Sequence, residues 1–201
     1  MEIKRIKDNN LLTDLHKLKL EIRKVREELR SERSSNPQIE KNLHFLDREL
    51  FSQSGHGLLR RADEIPSKEV HYGRNQFMSD LPQSPEIATE CGWDDSVGVA
   101  CHQFMSPDRT NIKYVSPDGH SEVIFDHDGN IVTDSEDYGT YNFVDSRQDP
   151  AGHFYKDILP WLLWGNDEKD STDMHQRLKA LIVYGGIEAT RSRMINPTVG
   201  R

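Results

Sequence analysis

The chain has 201 residues, of which 34% are hydrophobic and 30% are charged, and its formal net charge is −8. This length allows one domain with an appendage or two small domains, and the composition predicts a modest core under a wide polar surface. No stretch approaches the roughly 18 apolar residues of a membrane span, and the N-terminus lacks the apolar segment of a signal peptide. We therefore expect no membrane span, and any export would use another route.

Charge is unevenly distributed along the chain. Residues 1–35 contain ten Lys or Arg and seven Asp or Glu, a balance of +3, so the remainder carries −11. An acidic body does not attract polyanions over long distances, which argues against a nucleic-acid surface built on charge alone.

The clearest periodicity lies at the N-terminus, where apolar residues recur at alternating intervals of four and three. This stripe predicts a helix over 10–33, and a second stripe predicts a helix over 38–52 that begins at Pro37. The stripes are formed by Leu11, Leu15, Leu18, Ile22, Val25 and Leu29, and by Ile39, Leu43, Leu46 and Leu50.

We predict a helical hairpin over 1–52, a linker over 53–65 and a main domain over 66–201 that starts with loops. The second helix is about 22 Å long against about 36 Å for the first, so about a third of the first stripe would stay open. An open seam favours self-association through residues 11–29 or docking to a delivery partner, and packing on the main domain is the alternative. We expect the hairpin to contribute no catalytic group, so that its deletion leaves turnover within about tenfold.

Residues 111–144 contain short β-branched and aromatic runs separated by turn formers. Asp-Gly pairs at 118–119 and 128–129 mark two of the turns. Such runs at intervals of about eight to ten residues predict an antiparallel meander of about four strands. The predicted strands are 111–115, 122–125, 131–133 and 140–144.

Two helices are predicted after the meander. The first, near 152–164, is interrupted by Pro160. The second runs from about 172 to 184, with Thr172 as its N-cap. The predicted fold is α+β: an antiparallel meander packed by C-terminal helices, with the N-terminal hairpin projecting from it.

Motifs for metals, phosphates and disulfide frameworks are missing from the sequence. It has no His-Glu-x-x-His and no Cys-x-x-Cys. The acidic stretch 126–130 resembles a calcium loop only faintly, and a hairpin turn is the simpler interpretation. We expect no metal and no cofactor. Cys91 and Cys101 are interpreted as free thiols, with a bridge between them as the alternative.

Two histidines carry the chemical hypothesis. His120 follows Gly119 at the start of a predicted strand, where it shares a face with Glu122, and His153 follows Gly152 at the start of a helix. General acid–base cleavage of RNA requires such a pair, because one group takes the 2′-hydroxyl proton and the other protonates the 5′-oxygen. We therefore predict that His120, Glu122 and His153 are catalytic. Local capping of the backbone is the alternative for either histidine.

Polar and aromatic residues near these positions are predicted to bind substrate. Hydroxyl and amide groups on a sheet face can hold a phosphate or a base edge, and exposed rings can stack bases. Burial of the aromatic rings in the core is the alternative. The predicted substrate-binding residues are Asp134, Thr140, Tyr141, Asn142 and Asp157.

The second half of the chain also contains a series of turn-rich motifs. They are Gly119-His120-Ser121-Glu122-Val123-Ile124-Phe125, Asp128-Gly129-Asn130-Ile131-Val132-Thr133-Asp134, Gly139-Thr140-Tyr141-Asn142-Phe143, Gly152-His153-Phe154, Leu159-Pro160-Trp161 and Trp164-Gly165-Asn166. Over about residues 112–166 they resemble the polymorphic toxin type 44 family. Such domains stand at the ends of bacterial contact-dependent and secreted toxins, and the resemblance implies a ribonuclease-like activity.

Together, the resemblance and the histidine pair predict an antibacterial toxin that is a metal-independent endoribonuclease. The expected partners are RNA, a cognate immunity protein and a delivery apparatus, and the expected place of action is the cytoplasm of the target cell. Two alternatives stay open. One is a peptidoglycan hydrolase that uses Glu122 and Asp134 as acid and base. The other is a non-enzymatic adaptor that binds a partner through the N-terminal stripe.

Overall fold

The computed structural model describes residues 9–31, 37–51, 61–74, 80–95, 102–106 and 109–183. Its elements in chain order are α1 (Asn9–Ser31), α2 (Pro37–Phe51), a 3-10 turn (Ala62–Glu64), α3 (Lys68–Gly73), α4 (Pro85–Glu90), β1 (Ile112–Val115), β2 (Glu122–Phe125), α5 (Pro150–His153), a π-helical turn (Phe154–Ile158), α6 (Leu159–Trp164) and α7 (Met174–Val183). This combination of helices and a small antiparallel sheet, with a helical hairpin at the N-terminus, confirms the predicted α+β class. No helix in these described ranges is long and apolar enough to cross a membrane.

The apolar stripe of α1 is covered within the chain, so the predicted open seam is wrong. Leu18, Ile22 and Val25 are completely buried. Helices α6 and α7 pack on α1 in addition to α2, so the hairpin lies against the C-terminal helices instead of projecting. The hydrophobic cluster that contains both N-terminal stripes also contains Phe154, Tyr155, Leu159, Leu162, Leu178 and Leu181.

Polar contacts join α1 to the C-terminal helices around this cluster. The indole Nε1 of Trp164 donates to Asp14 Oδ2 at 3.0 Å. The ring nitrogens of His175 lie 3.2 Å from a carboxylate oxygen of Glu21 and 2.7 Å from one of Glu28. These directional contacts set the register of α1 against α6 and α7, which apolar burial alone does not specify.

The sheet contains two strands where about four were predicted. β1 and β2 pair antiparallel along their whole length. The predicted third strand meets β2 at an isolated bridge between Phe125 and Ile131. The fourth forms an isolated bridge from Tyr141 to Ser121, the residue before β2. A turn follows the third run directly: the Asp134 carboxylate accepts the Asp137 N–H at 2.9 Å.

The acidic stretch 126–130 is a hairpin turn, as the simpler interpretation predicted. Asp126 Oδ1 accepts the backbone N–H groups of Asp128 and Asn130, both at 2.9 Å. Gly129 has a φ of +81°, a conformation that glycine adopts without strain. The carboxylate therefore serves the turn itself.

Both predicted C-terminal helices are present, and Pro160 explains the shape of the first. Proline has no N–H for the helical ladder, and its ring displaces the carbonyl four residues earlier. Before Pro160 the helical hydrogen bonds change from a spacing of four residues to five, and Leu159 donates its N–H to the Phe154 carbonyl. A π-helical turn therefore joins α5 to α6.

Helix α7 is capped one residue later than predicted. The Asp173 carboxylate accepts the Gln176 N–H, and the Gln176 side chain accepts the Asp173 N–H, both at 2.8 Å. This reciprocal arrangement is a capping box. Thr172 instead donates its hydroxyl to Asp170 at 2.5 Å.

Two short helices lie in the region predicted to be loops. Ser67 caps α3 by accepting the Val70 N–H at 3.3 Å, and Ser84 caps α4 by accepting the Ile87 N–H at 3.4 Å. Pro85 is the first residue of α4, where its missing N–H costs nothing. Each helix has six residues, too few to produce a visible apolar period.

Candidate functional site

The predicted catalytic histidines both donate to residues 142–144, which we call the central segment. His120 Nδ1 donates to the Asn142 carbonyl at 2.8 Å, and His153 Nδ1 donates to the Val144 carbonyl at 3.0 Å. The two acceptors are two residues apart. His120 and His153 are 33 positions apart in the chain. The fold brings both rings into hydrogen bonds with the same three-residue segment.

These hydrogen bonds fix which nitrogen of each ring carries the proton. A carbonyl oxygen only accepts, so Nδ1 is the donor, and in the neutral ring Nε2 then has a free lone pair. Within the described residues neither Nε2 has a hydrogen-bond partner, and both side chains are partly exposed. Each ring is thus oriented at one nitrogen and open at the other, as a general acid or base requires.

The turn before His120 fixes its backbone, and a ring contact fixes its side chain. Asp118 Oδ1 accepts the His120 N–H at 3.0 Å. Gly119 has a φ of +79°, and a Cβ there would overlap the Asp145 side chain, so this turn requires glycine. The His120 ring stacks on Tyr141, with centroids 5.5 Å apart and planes inclined by 11°.

His153 is held at the end of α5. The Asp149 carboxylate caps this helix by accepting the Gly152 N–H at 2.8 Å. His153 Nδ1 also lies 3.2 Å from Asp157 Oδ2, one turn further along. The Nδ1 proton therefore faces two acceptors, a backbone carbonyl and a carboxylate.

Glu122 lies in a buried ion cluster. Its Oε1 accepts from Lys113 Nζ at 3.0 Å and from Asn142 Nδ2 at 2.7 Å, and its Oε2 lies 3.2 Å from His102 Nε2. Burial by itself raises the pKa of Glu122, but Lys113, His102 and Asn142 together hold that pKa well below its usual range. Glu122 is therefore a charged carboxylate shielded from solvent, joined to His120 only through Asn142.

Asp157 is also buried, and it binds the central segment directly. Its carboxylate accepts the N–H groups of Phe143 at 2.9 Å and Val144 at 3.3 Å, and Arg74 Nη1 donates to it at 2.8 Å. The side chains of Arg74 and Asp157 are 3% and 4% exposed. The Arg74 guanidinium also packs over the Phe143 ring at 5.8 Å. Asp157 therefore has protein partners in the position predicted for a substrate contact.

The other predicted substrate-binding residues divide by exposure. Thr140 and Asn142 are buried. Tyr141 is partly exposed and lies beside His120. Asp134 is partly exposed as well, and its Oδ1 accepts the Asp137 N–H at 2.9 Å within its own turn. Of these side chains, Tyr141 has the best position for a ligand at the histidines.

Sequence reasoning missed the buried basic partners of Glu122 and Asp157. Lys113 carries a usable signal, because it stands in a predicted strand next to the strand that contains Glu122. Arg74 follows the short helix α3, and His102 stands in a loop, so neither belongs to a periodic pattern. His102 is fixed further by its Nδ1, which donates to the Asp137 carbonyl at 3.2 Å.

Within the described ranges there is no cluster of three or more His, Cys, Asp or Glu side chains able to hold a metal ion. Cys91 is an exposed free thiol directly after α4. The bridge to Cys101 that the sequence left open involves a residue outside the described ranges.

Comparison of the chain with protein-family models, with curated proteins and with solved structures gives no match. The function is therefore argued from the geometry of the site and the chemistry of its residues.

Proposed function

We propose that this chain is a metal-independent endoribonuclease in which His120 and His153 perform general acid–base catalysis. The observation that supports the proposal is that both histidine rings are hydrogen-bonded to the central segment. Both rings donate through Nδ1 to backbone carbonyls, at 2.8 and 3.0 Å, and neither Nε2 has a partner within the described residues. A pair of oriented imidazoles with open Nε2 atoms matches the requirement for one proton acceptor and one proton donor.

The proposed reaction is a transesterification within RNA. One neutral histidine removes the proton of a 2′-hydroxyl through Nε2, and the resulting oxygen attacks the adjacent phosphorus. The other histidine, in its protonated form, donates from Nε2 to the 5′-oxygen as the bond from phosphorus to that oxygen breaks. The products are a 2′,3′-cyclic phosphate and a 5′-hydroxyl, and the two histidines have exchanged their protonation states.

Substrate contact in this proposal comes from aromatic surface. Tyr141 stacks on His120 and meets Phe143 edge to face at 6.2 Å, and both aromatic rings are partly exposed. Stacking of a base on an aromatic ring contributes about 1–3 kcal/mol and tolerates any base. Because the chain carries a net charge of −8, binding would depend on such local contacts more than on long-range attraction.

The biological role is proposed from the motifs within 112–166 that resemble the polymorphic toxin type 44 family. In this role the chain is an antibacterial toxin that a delivery apparatus carries into the cytoplasm of another cell, and a cognate immunity protein inhibits it in the producer. A ribonuclease suits this role because RNA cleavage stops protein synthesis in the recipient.

Peptidoglycan hydrolysis by Glu122 and Asp134 has less support. A pair of catalytic carboxyl groups needs one member whose raised pKa keeps it protonated as the acid. The pKa of Glu122 is instead held well below its usual range by Lys113, His102 and Asn142, against the opposing effect of burial. Glu122 is therefore unsuited to be the proton donor that glycoside cleavage requires.

Cleavage of RNA by the purified chain in excess EDTA tests the proposal. We expect His120→Ala and His153→Ala each to lower kcat by about 10²–10⁴-fold, the usual contribution of a positioned acid or base. The matched control is His127→Ala in the hairpin turn, where the side chain is 69% exposed, and this variant should keep full activity. Undiminished cleavage in both site variants would refute the histidine mechanism. Intact RNA with fragmented peptidoglycan would favour the hydrolase.

Growth of a bacterial host that expresses the chain separates the enzyme from the adaptor. An active ribonuclease should stop growth, and His153→Ala should restore it without loss of the protein. Equal growth with and without induction would favour the adaptor.

A further inference from the structure

The first of two buried carboxylates holds the start of the central segment. Glu122 Oε1 accepts the Asn142 side-chain amide at 2.7 Å, and the carbonyl of the same asparagine accepts from His120. Lys113 neutralises Glu122 from the neighbouring strand at 3.0 Å. The orientation of the His120 ring therefore depends on Glu122 through a single intervening residue.

The second carboxylate holds the end of the same segment. Asp157 accepts the Val144 N–H at 3.3 Å, the carbonyl of Val144 accepts from His153, and Asp157 Oδ2 itself lies 3.2 Å from His153 Nδ1. Arg74 neutralises Asp157 at 2.8 Å. Each carboxylate thus has one buried counter-ion and supports one histidine.

We infer that Glu122 and Asp157 are positioning residues that clamp the two ends of the central segment and so orient His120 and His153. The sequence by itself predicts a catalytic role for Glu122 and a substrate-binding role for Asp157. The kinetic consequence of this inference rests on the proposed function, whereas the orientation of the rings can be measured without any substrate.

Charged acceptors suit this task because hydrogen bonds to a carboxylate are stronger and more directional than neutral ones. Asp157 uses two oxygens for two successive backbone N–H groups, which a single amide oxygen cannot replace. Glu122 offers Asn142 one oxygen, which glutamine can replace. The two positions therefore differ in the substitution that each should tolerate, and the test uses this difference.

The first measurement is the tautomer of each histidine ring, read from side-chain ¹⁵N chemical shifts of the labelled full-length protein. In Asp157→Asn we expect the proton of His153 to move from Nδ1 towards Nε2, while His120 keeps its tautomer. In the double variant Lys113→Met with Glu122→Met we expect the reverse, a change at His120 alone. Glu122→Gln should preserve both tautomers, because its amide oxygen can still accept from Asn142.

Additional variants separate positioning from folding. Asp157→Asn leaves Arg74 buried without its counter-ion, which can destabilise the fold by itself. The double variant Arg74→Met with Asp157→Asn removes this unpaired charge and is therefore measured beside it. Asp128→Asn is the matched control, since its carboxylate is 69% exposed in the hairpin turn. Cooperative thermal unfolding of each variant confirms that it is folded before its spectrum is interpreted.

RNA cleavage supplies the second measurement. Loss of orientation should lower kcat by about 10²-fold and leave KM within about threefold, because misplaced rings weaken the chemical step more than binding. The control Asp128→Asn should retain wild-type kcat. If the wild-type chain cleaves no RNA, the ribonuclease proposal fails, but selective tautomer changes would still support the clamp. The clamp would be overturned if Asp157→Asn, or the double variant Lys113→Met with Glu122→Met, folded and kept both Nδ1 protons or changed both rings together.

Discussion

At the scale of single residues, His71 shows how far burial can change a side chain. Its ring is completely buried against Trp164, with ring centroids 6.0 Å apart, and its Nε2 donates to the Gly165 carbonyl at 2.6 Å. Burial, reinforced by the nearby charge of Arg74, lowers the pKa of His71 to about 3, although the hydrogen bond to Gly165 opposes the shift. The ring is therefore neutral in the folded protein.

The lowered pKa of His71 predicts that the free energy of unfolding decreases as the pH falls. The unfolded chain binds a proton at His71 below its ordinary pKa of 6.5 and the folded chain does not, so the stabilisation is complete above pH 6.5 and is lost as the pH falls towards 3. The free energy of unfolding should fall by about 1.4 kcal/mol per pH unit from this residue alone. His71→Gln keeps a donor for Gly165 without titrating, so this part of the slope should vanish.

Urea unfolding at several pH values between about 6.5 and 5 measures the slope, since ordinary carboxyl groups stay ionised over most of that range. His127→Gln, at an exposed position, is the control and should keep the wild-type slope. Equal slopes for wild type and His71→Gln would contradict the assignment of a lowered pKa.

At the scale of elements, the approach of the segment 139–142 to β2 builds the site. Glu122 donates its backbone N–H to the Thr140 carbonyl at 3.0 Å, and Asn142 donates its N–H to the His120 carbonyl at 2.6 Å. Gly139 allows this approach, because a Cβ there would overlap the backbone carbonyl of Glu122. The position therefore requires glycine for space.

Gly139→Ala should displace the segment and weaken both the fold and the site. We expect a loss of roughly 1–3 kcal/mol in the free energy of unfolding, as for other overpacked positions, or more if the backbone cannot yield. The matched control is Gly73→Ala at the end of α3, where a Cβ meets nothing within 4 Å, and it should change stability by less than about 1 kcal/mol. Chemical denaturation of both variants measures the difference. Similar stabilities would show that the segment can move away from β2 at little cost.

At the scale of the whole molecule, the N-terminal hairpin and the C-terminal helices share one hydrophobic cluster. Leu18 and Ile22 of α1 are completely buried, and the cluster continues through Leu162 and Leu178. Each buried Leu or Ile contributes roughly 1.5–3 kcal/mol, and a domain of this kind has only about 5–15 kcal/mol of net stability. The proposed site residues nevertheless all lie outside the hairpin.

The shared cluster changes the expected result of deleting residues 1–52. The sequence alone predicted a fragment with turnover within tenfold of the full chain. The packing now predicts that the remaining fragment, 53–201, loses cooperative unfolding and exposes apolar surface, so that activity falls with the fold. Circular dichroism and thermal unfolding of the fragment, with the full-length chain as control, test this. A fragment that unfolds cooperatively near the wild-type midpoint would show that the hairpin is dispensable for folding.

Local pattern determined a large part of the secondary structure. The stripes of α1 and α2 have the helical period, and the structure places these helices within two residues of the predicted ends that it describes. The runs at 112–115 and 122–125 are strands because β-branched and aromatic residues and the turn formers beside them act over a few residues. The histidine pair could also be selected from sequence, because His120 and His153 each follow a glycine at the start of a predicted element.

Only the tertiary structure decided what covers each face and what each charged group contacts. The stripe of α1 shows that a face is apolar, but two of the helices that cover it, α6 and α7, lie at the other end of the chain. The sequence predicts Glu122 as catalytic and Asp157 as a substrate contact, whereas in the structure both are buried beside Lys113 and Arg74, which separate elements bring to them. A periodic pattern records that a residue avoids water, whereas charge state, orientation and access depend on neighbours that only the folded chain brings into contact.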